Sequence, residues 1–267
     1  MHVAEAGAGE PIVLLHGWPE HWWEWRRLIP SLSEGYRLIC PDLRGFGWSE
    51  APRTGYEKER LAADVLALLD ALGLQRVRLV GHDWGGVVGF ILCLRHPERV
   101  ERYLALNTGH PFAPADAHTL RTLWRFWYQG VIAAPLLGRW LLASERFWRL
   151  LPRSRSEAGG VWSREDRELF LGQLREPERA AASVALYRTF LLRELPRTSR
   201  GRYRERLRTP TLLLHGARDP VLRPELLRGY EDQADDMTVE LVDGVGHFIA
   251  EERPELVLGR ALDFFGR

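Results

Sequence analysis

Short apolar runs alternate with helix-period segments through the first 110 residues. That alternation restricts the chain to a parallel sheet with helices on both faces. Pro11–Leu15 is one such run, and Tyr36–Cys40, ended by Pro41-Asp42, is the next. A Trp-rich helix is expected from about His21 to Ser31. Glu57–Leu72 carries Leu61, Val65, Leu68, Leu69 and Leu72 at helical spacing and stops at Gly73. Arg76–Val80 predicts a strand entering a glycine-dense turn, a helix should follow from about Gly86 to His96, and Arg102–Leu106 is a further strand.

The rhythm breaks at about Pro111. Up to Arg206 the sequence is helical, Arg-rich and Trp-rich, with prolines as punctuation. The βα alternation returns at Thr211–His215 and continues through Thr238–Val242 and a last helix, Pro254–Phe265. The expected division is therefore a core of residues 1–110, a helical insertion of 111–206, and core again from 207 to 267.

With 267 residues, one large domain or a domain with an insertion is within reach. Basic and acidic residues number 37 and 36, a net charge of +1, so nucleic acid is not an expected partner. Of the 37 basic residues one alone, Lys58, is lysine. Cys40 and Cys93 sit in apolar runs and suggest buried thiols rather than a disulfide or zinc framework. No leader pattern opens the chain, and no apolar run approaches the ~18–20 residues of a membrane span. A cytoplasmic protein without a membrane partner is the expectation, and a homodimer is compatible with it.

The densest chemistry lies in Gly81-His82-Asp83-Trp84-Gly85-Gly86. Glycines at 81 and 85 flank a central residue between a strand and a helix, the G-x-Nuc-x-G arrangement of a nucleophile elbow. Taken alone, an ordinary βα turn with a helix-capping Asp explains it equally well. Three further segments bear on the choice. His16-Gly17-Trp18-Pro19 follows the first apolar strand, where a second oxyanion-hole N–H would arise. Asp219 follows the strand ending at His215, and His247 follows the last strand. The order Asp83, Asp219, His247 is the nucleophile–acid–histidine order of α/β-hydrolases. All three follow carboxyl ends of strands, where open α/β sheets build their sites.

On these residues the chain resembles the α/β-hydrolase superfamily and, within it, the epoxide hydrolases. The matching pieces are HGWPE (His16–Glu20), PDLRGFGWSE (Pro41–Glu50), GHDWGG (Gly81–Gly86), LNTGHPF (Leu106–Phe112), GARDP and GVGHF. The resemblance implies an α/β-hydrolase fold, a mostly parallel sheet with helices on both faces, in which the inserted block is a helical cap. Tyr128 in Trp127-Tyr128-Gln129 and Tyr187 in Leu186-Tyr187-Arg188 look like the family's lid tyrosines. The family core usually has a strand before the one that His2–Ala6 resembles, so a missing first edge strand is expected.

An aspartate nucleophile favours displacement at an sp³ carbon, because a carboxylate is already ionised at pH 7 and needs no base to attack. His247, oriented by Asp219, is then available to activate water against the resulting ester. The backbone N–H groups of Trp18 and Trp84 are the expected oxyanion hole. A phenol with a reference pKa of ~10 is a fitting donor to an epoxide oxygen. The implied activity is cofactor-free and metal-free hydrolysis of an apolar epoxide by water. Trp124, Trp127 and His110 are expected to line the substrate pocket. Haloalkane dehalogenation with the same Asp/His/Asp set is the alternative, with a cap tryptophan helping to bind halide, and a ligand-binding protein without turnover is a third. The Trp after the nucleophile argues against a fluoroacetate dehalogenase, which carries Arg there. Asp42, His16 and His82 are expected in structural roles, and Asp243 lies too near His247 to orient it. Asn107 stands where some dehalogenases place the acid.

Overall fold

Strands β1 (Val3–Ala6), β2 (Glu10–Leu15), β3 (Tyr36–Pro41), β4 (Val77–His82), β5 (Val100–Leu106), β6 (Thr211–Gly216) and β7 (Met237–Val242) form one sheet of order β1-β3-β2-β4-β5-β6-β7. Only the β1–β3 pair is antiparallel. This α/β-hydrolase architecture is seen in a computed structural model describing residues 1–112, 116, 123–150, 161–198, 202, 203 and 205–266. The inserted stretch is thus described except for 113–115, 117–122, 151–160, 199–201 and 204.

Side chains alternate between the two faces of a strand. Val13, Leu15, Ile39, Leu79, Ala105 and Leu213 pack in one apolar layer with Leu61, Val65, Val88 and Phe90. Ile12, Leu14, Leu38, Val80, Leu104 and Leu214 pack in the other with Trp25, Leu28, Val257 and Phe265. Both faces are covered, which is why these strands read as continuous apolar runs.

The Trp-rich segment forms a 3₁₀ turn, Trp22–Arg27, and a short helix α1 (Ile29–Leu32), not the single helix expected. Pro30 has no N–H to continue a helix through this point. Helix α2 (Lys58–Ala71) matches the sequence periodicity, and α3 (Asp83–Arg95) starts three residues earlier than expected, at Asp83 itself. Between β5 and β6 lie helices Trp127–Ile132, Pro135–Leu142, Glu145–Leu150, Arg164–Gly172 and Pro177–Thr189. The last continues into a π-helical turn, Phe190–Glu194. Pro135 and Pro177 occupy first helical positions, where a missing N–H costs nothing. No described helix is long and apolar enough to cross a membrane.

Candidate active site

Parallel register aligns the ends of the central strands: Leu15 pairs with Gly81 and His82 with Leu106. The chain leaves β4 and enters α3 at Asp83 with φ +46°. That left-handed conformation costs a non-glycine residue roughly 1–3 kcal/mol and persists only where the surroundings enforce it. Here crowding does so. A Cβ at Gly85 would lie 2.2 Å from the Leu15 carbonyl oxygen, and one at Gly81 would lie 2.8 Å from the Gly85 oxygen. The Thr108 hydroxyl donates to the Asp83 carbonyl at 2.7 Å.

The Asp83 carboxylate is buried at the positive end of α3, a favourable place for an anion. The Trp18 N–H donates to its Oδ2 at 3.0 Å. The Trp84 N–H occupies the second position of α3, one of the N–H groups with no acceptor inside the helix.

His247 approaches from the loop after β7. Its Nδ1 lies 2.8 Å from Asp219 Oδ2, and its Nε2 lies 3.7 Å from Asp83 Oδ1, with all three side chains buried. Asp219 Oδ1 accepts the Val221 and Leu222 N–H groups at 2.7 and 3.0 Å, and Asn107 Nδ2 donates to Oδ2 at 2.7 Å. Burial alone would raise the Asp219 carboxyl, but His247, His215 and the Asn107 amide hold it well below the usual carboxylate range. An ionised Asp219 fixes the proton on His247 Nδ1 and leaves the Nε2 lone pair directed at the Asp83 side. Nε2 has no hydrogen-bond partner among the described residues.

Tyr128 and Tyr187 are both buried, at 1% and 0% exposure, with ring centroids 6.4 Å apart. Tyr187 packs edge-on against Trp18 at 5.1 Å and Trp84 at 5.6 Å, the two residues whose N–H groups flank Asp83. The structure therefore gathers Asp83, Asp219, His247, Tyr187, Trp18 and Trp84, with Tyr128 adjoining. Trp124 and Trp127 are 67% and 47% exposed, and the Trp127 ring lies edge-on to that of Tyr128 at 6.5 Å. His110 is buried against Phe90, Phe112 and Tyr230, where the chain leaves the sheet for the inserted block.

Beneath the elbow, Glu20, Glu24 and His82 bring metal-ligand-type atoms within 4.8 Å of one another. Burial would depress the His82 imidazole, yet Glu24 at 2.8 Å, with Asp83 nearby, raises it to about 9. In this arrangement Glu24 and His82 form a buried ion pair. His82 Nε2 also meets the His247 carbonyl at 2.9 Å, tying the loop of His247 to the end of β4, directly before Asp83. His16 accepts the Leu43 N–H, and Asp42 accepts the N–H groups of Trp22 and Trp48, both structural roles as expected.

A family model described as the alpha/beta hydrolase fold matches residues 10–254. A soluble epoxide hydrolase of Corynebacterium sp. (strain C12) is 32% identical over 273 residues, spanning 99% of this chain and 93% of that protein. The chain belongs to the epoxide hydrolase family. Another relative in the family, epoxide hydrolase 4 of Mus musculus, is 28% identical over 276 residues, 97% of this chain and 74% of that protein. The solved epoxide hydrolase CorEH, without ligand, superposes with a TM-score of 0.86 at 31% identity, covering 99% of this chain and 94% of that one.

Two residues packed around the site escape a reading of the sequence. Asn107 was notable only for not being an acid, although an Asn directly after a strand, able to adopt positive φ, is a signal of a built turn. It has φ +38°. Lys58, the single lysine, is buried under the inserted block, and its rarity was the available signal.

Proposed function

We propose that the protein hydrolyses an apolar epoxide to a vicinal diol through an alkyl ester on Asp83, with residues 111–206 as a cap over a core of 1–110 and 207–267. The observation that carries this is the Asp83 carboxylate, held by the Trp18 N–H on one oxygen and faced at 3.7 Å on the other by a histidine that Asp219 orients.

Asp83 attacks a ring carbon, the C–O bond breaks, and the epoxide oxygen takes a proton from Tyr128 or Tyr187. His247 Nε2 then removes a proton from water as it adds to the ester carbonyl. The oxyanion is met by the Trp18 and Trp84 N–H groups, each worth about 3 kcal/mol by analogy with other oxyanion holes. Collapse expels the diol oxygen, which takes the proton from the imidazolium. The proton left on the Asp83 carboxyl returns to the phenolate. Every step uses side chains, backbone and water, and the near-neutral charge balance suits an uncharged substrate.

A second reading rests on Trp84. Its indole N–H is buried with no acceptor among the described residues, and a leaving halide would take that bond. Exposure of Trp124 and Trp127 weakens this alternative, because a cap tryptophan was its expected second donor.

Turnover of styrene oxide and 1-bromobutane by the wild type, Tyr128→Phe and Tyr187→Phe separates the two. Diol formation that falls in the tyrosine variants is expected; bromide release with no diol from any epoxide would overturn the main reading. Mass spectrometry of His247→Gln under turnover should find an alkyl ester on Asp83.

A further inference from the structure

Lys58 opens α2, outside the set of residues assigned a chemical step, and is 2% exposed. Its Nζ lies 2.9 Å from Glu194 Oε2 and donates to the Leu186 carbonyl at 3.0 Å. Its backbone N–H donates to Glu194 Oε1 at 2.7 Å. The ammonium also sits 4.3 Å from the centroid of the Trp84 ring and 5.3 Å from that of Phe190. One buried cation thus ties α2, the residue after Asp83, and the helix that carries Tyr187.

The contact with Leu186 is the informative one. That carbonyl already accepts the Phe190 N–H at the point where the α-helix widens into the π-helical turn. Such turns frequently occur at functional sites. The widened turn places Glu194 over Lys58, and Lys58 in turn grips the peptide unit directly before Tyr187. The Trp84 indole is then packed by Lys58, by Phe190 at 4.9 Å and by Tyr187 at 5.6 Å. Burial pulls the Lys58 ammonium down, and the Glu194 carboxylate opposes that loss.

We propose that Lys58 is a positioning residue for epoxide opening, fixing the Tyr187 phenol relative to Trp84 and Asp83 through the Leu186 carbonyl. This rests on the epoxide reading given above. A plain clasp between core and inserted block would stabilise the fold without acting through Tyr187, and the two differ in a double-mutant cycle.

The test follows the alkylation phase in single-turnover stopped-flow with styrene oxide and the full chain. Because misplacement by about 1 Å costs up to ~100-fold in rate, Lys58→Met should slow alkylation by at least about tenfold. In the Tyr187→Phe background, where Tyr128 is still available as donor, the same substitution should cost less than about threefold, because coupled sites are not additive. Lys58→Arg should recover much of the rate. Should Lys58→Met fail to fold, Glu194→Gln, which loosens the clasp and keeps the ammonium, takes its place in the same cycle. Equal losses in both backgrounds, or no loss in either, would overturn the assignment while leaving epoxide hydrolysis intact. A wild type that opens no epoxide would overturn both.

Discussion

The side-chain amide of Asn107 donates to Asp219 Oδ2 at 2.7 Å, the same oxygen that His247 Nδ1 meets at 2.8 Å. Asn107 also donates to the Gly246 carbonyl at 3.0 Å, one residue before His247. A single buried amide thus orients the acid and the loop of the histidine together. Asn107→Ala removes a donor to a buried carboxylate, a loss of about 1.5–3 kcal/mol. Expressed in the proposed hydrolytic step, that is roughly tenfold to hundredfold in rate. Multiple-turnover kinetics of this variant should show accumulated alkyl-enzyme, and an unchanged hydrolysis rate would remove Asn107 from the machinery.

Stability should fall on both sides of neutrality for different reasons. Burial depresses His21 and His110 to about 4, below the unfolded value of ~6.5. Their contribution is present above that unfolded value and is lost as pH falls through about 4. His82 is raised to about 9, so its contribution is full below ~6.5 and lost as pH rises through about 9. Calorimetry from pH 4 to 10 should show the melting temperature dropping along both limbs. His82→Gln should flatten the alkaline limb alone, and an unaltered alkaline slope would contradict the ion pair with Glu24.

Much of the core was legible because its constraints are local. Continuous apolar runs marked the strands, a 3.6-residue period marked α2, and the glycines at 81 and 85 marked a turn with no room for side chains. The order Asp83, Asp219, His247 then supplied three residues that the structure does bring together. What escaped was decided by distant partners. Glu194 meets Lys58 from 136 residues away, and Glu251 meets Arg26 across 225. Nor does a local pattern settle which face of an aromatic-rich helix turns inward. Trp127 and Tyr128 are neighbours, yet one is half-exposed and the other buried.

Gly85→Ala probes the crowding that holds Asp83 in its strained conformation. The added carbon would sit 2.2 Å from the Leu15 oxygen and 2.5 Å from the His16 oxygen, both backbone atoms of the neighbouring strand end. Relief requires α3 to move off β2, which should cost about 3 kcal/mol or more. Urea denaturation measures it; a loss under 1 kcal/mol would mean that the elbow tolerates displacement.

Arg26 joins the inserted block to the core. Its guanidinium meets Asp166 at 3.0 Å and Glu251 Oε2 at 2.8 Å. Burial raises the Glu251 carboxyl to about 7 despite Arg26, and Glu20, a second buried acid nearby, is also pushed well above its ordinary range, again by burial and then by a third, Glu24. Arg26→Met should therefore cost about 3–5 kcal/mol, because it leaves a buried carboxylate without its main cation. Asp166→Ala should cost under about 1 kcal/mol, since that partner is closer to solvent. The sign of the pH effect follows from the raised Glu251 value. Its contribution is fully present below the unfolded value of ~4.5 and is lost as pH rises through about 7. Removing Arg26 raises that carboxyl further, so the deficit of Arg26→Met should grow between pH 5 and pH 8 in urea melts. An equal deficit at both values would assign the effect to lost packing against Phe170, which the guanidinium covers at 5.9 Å.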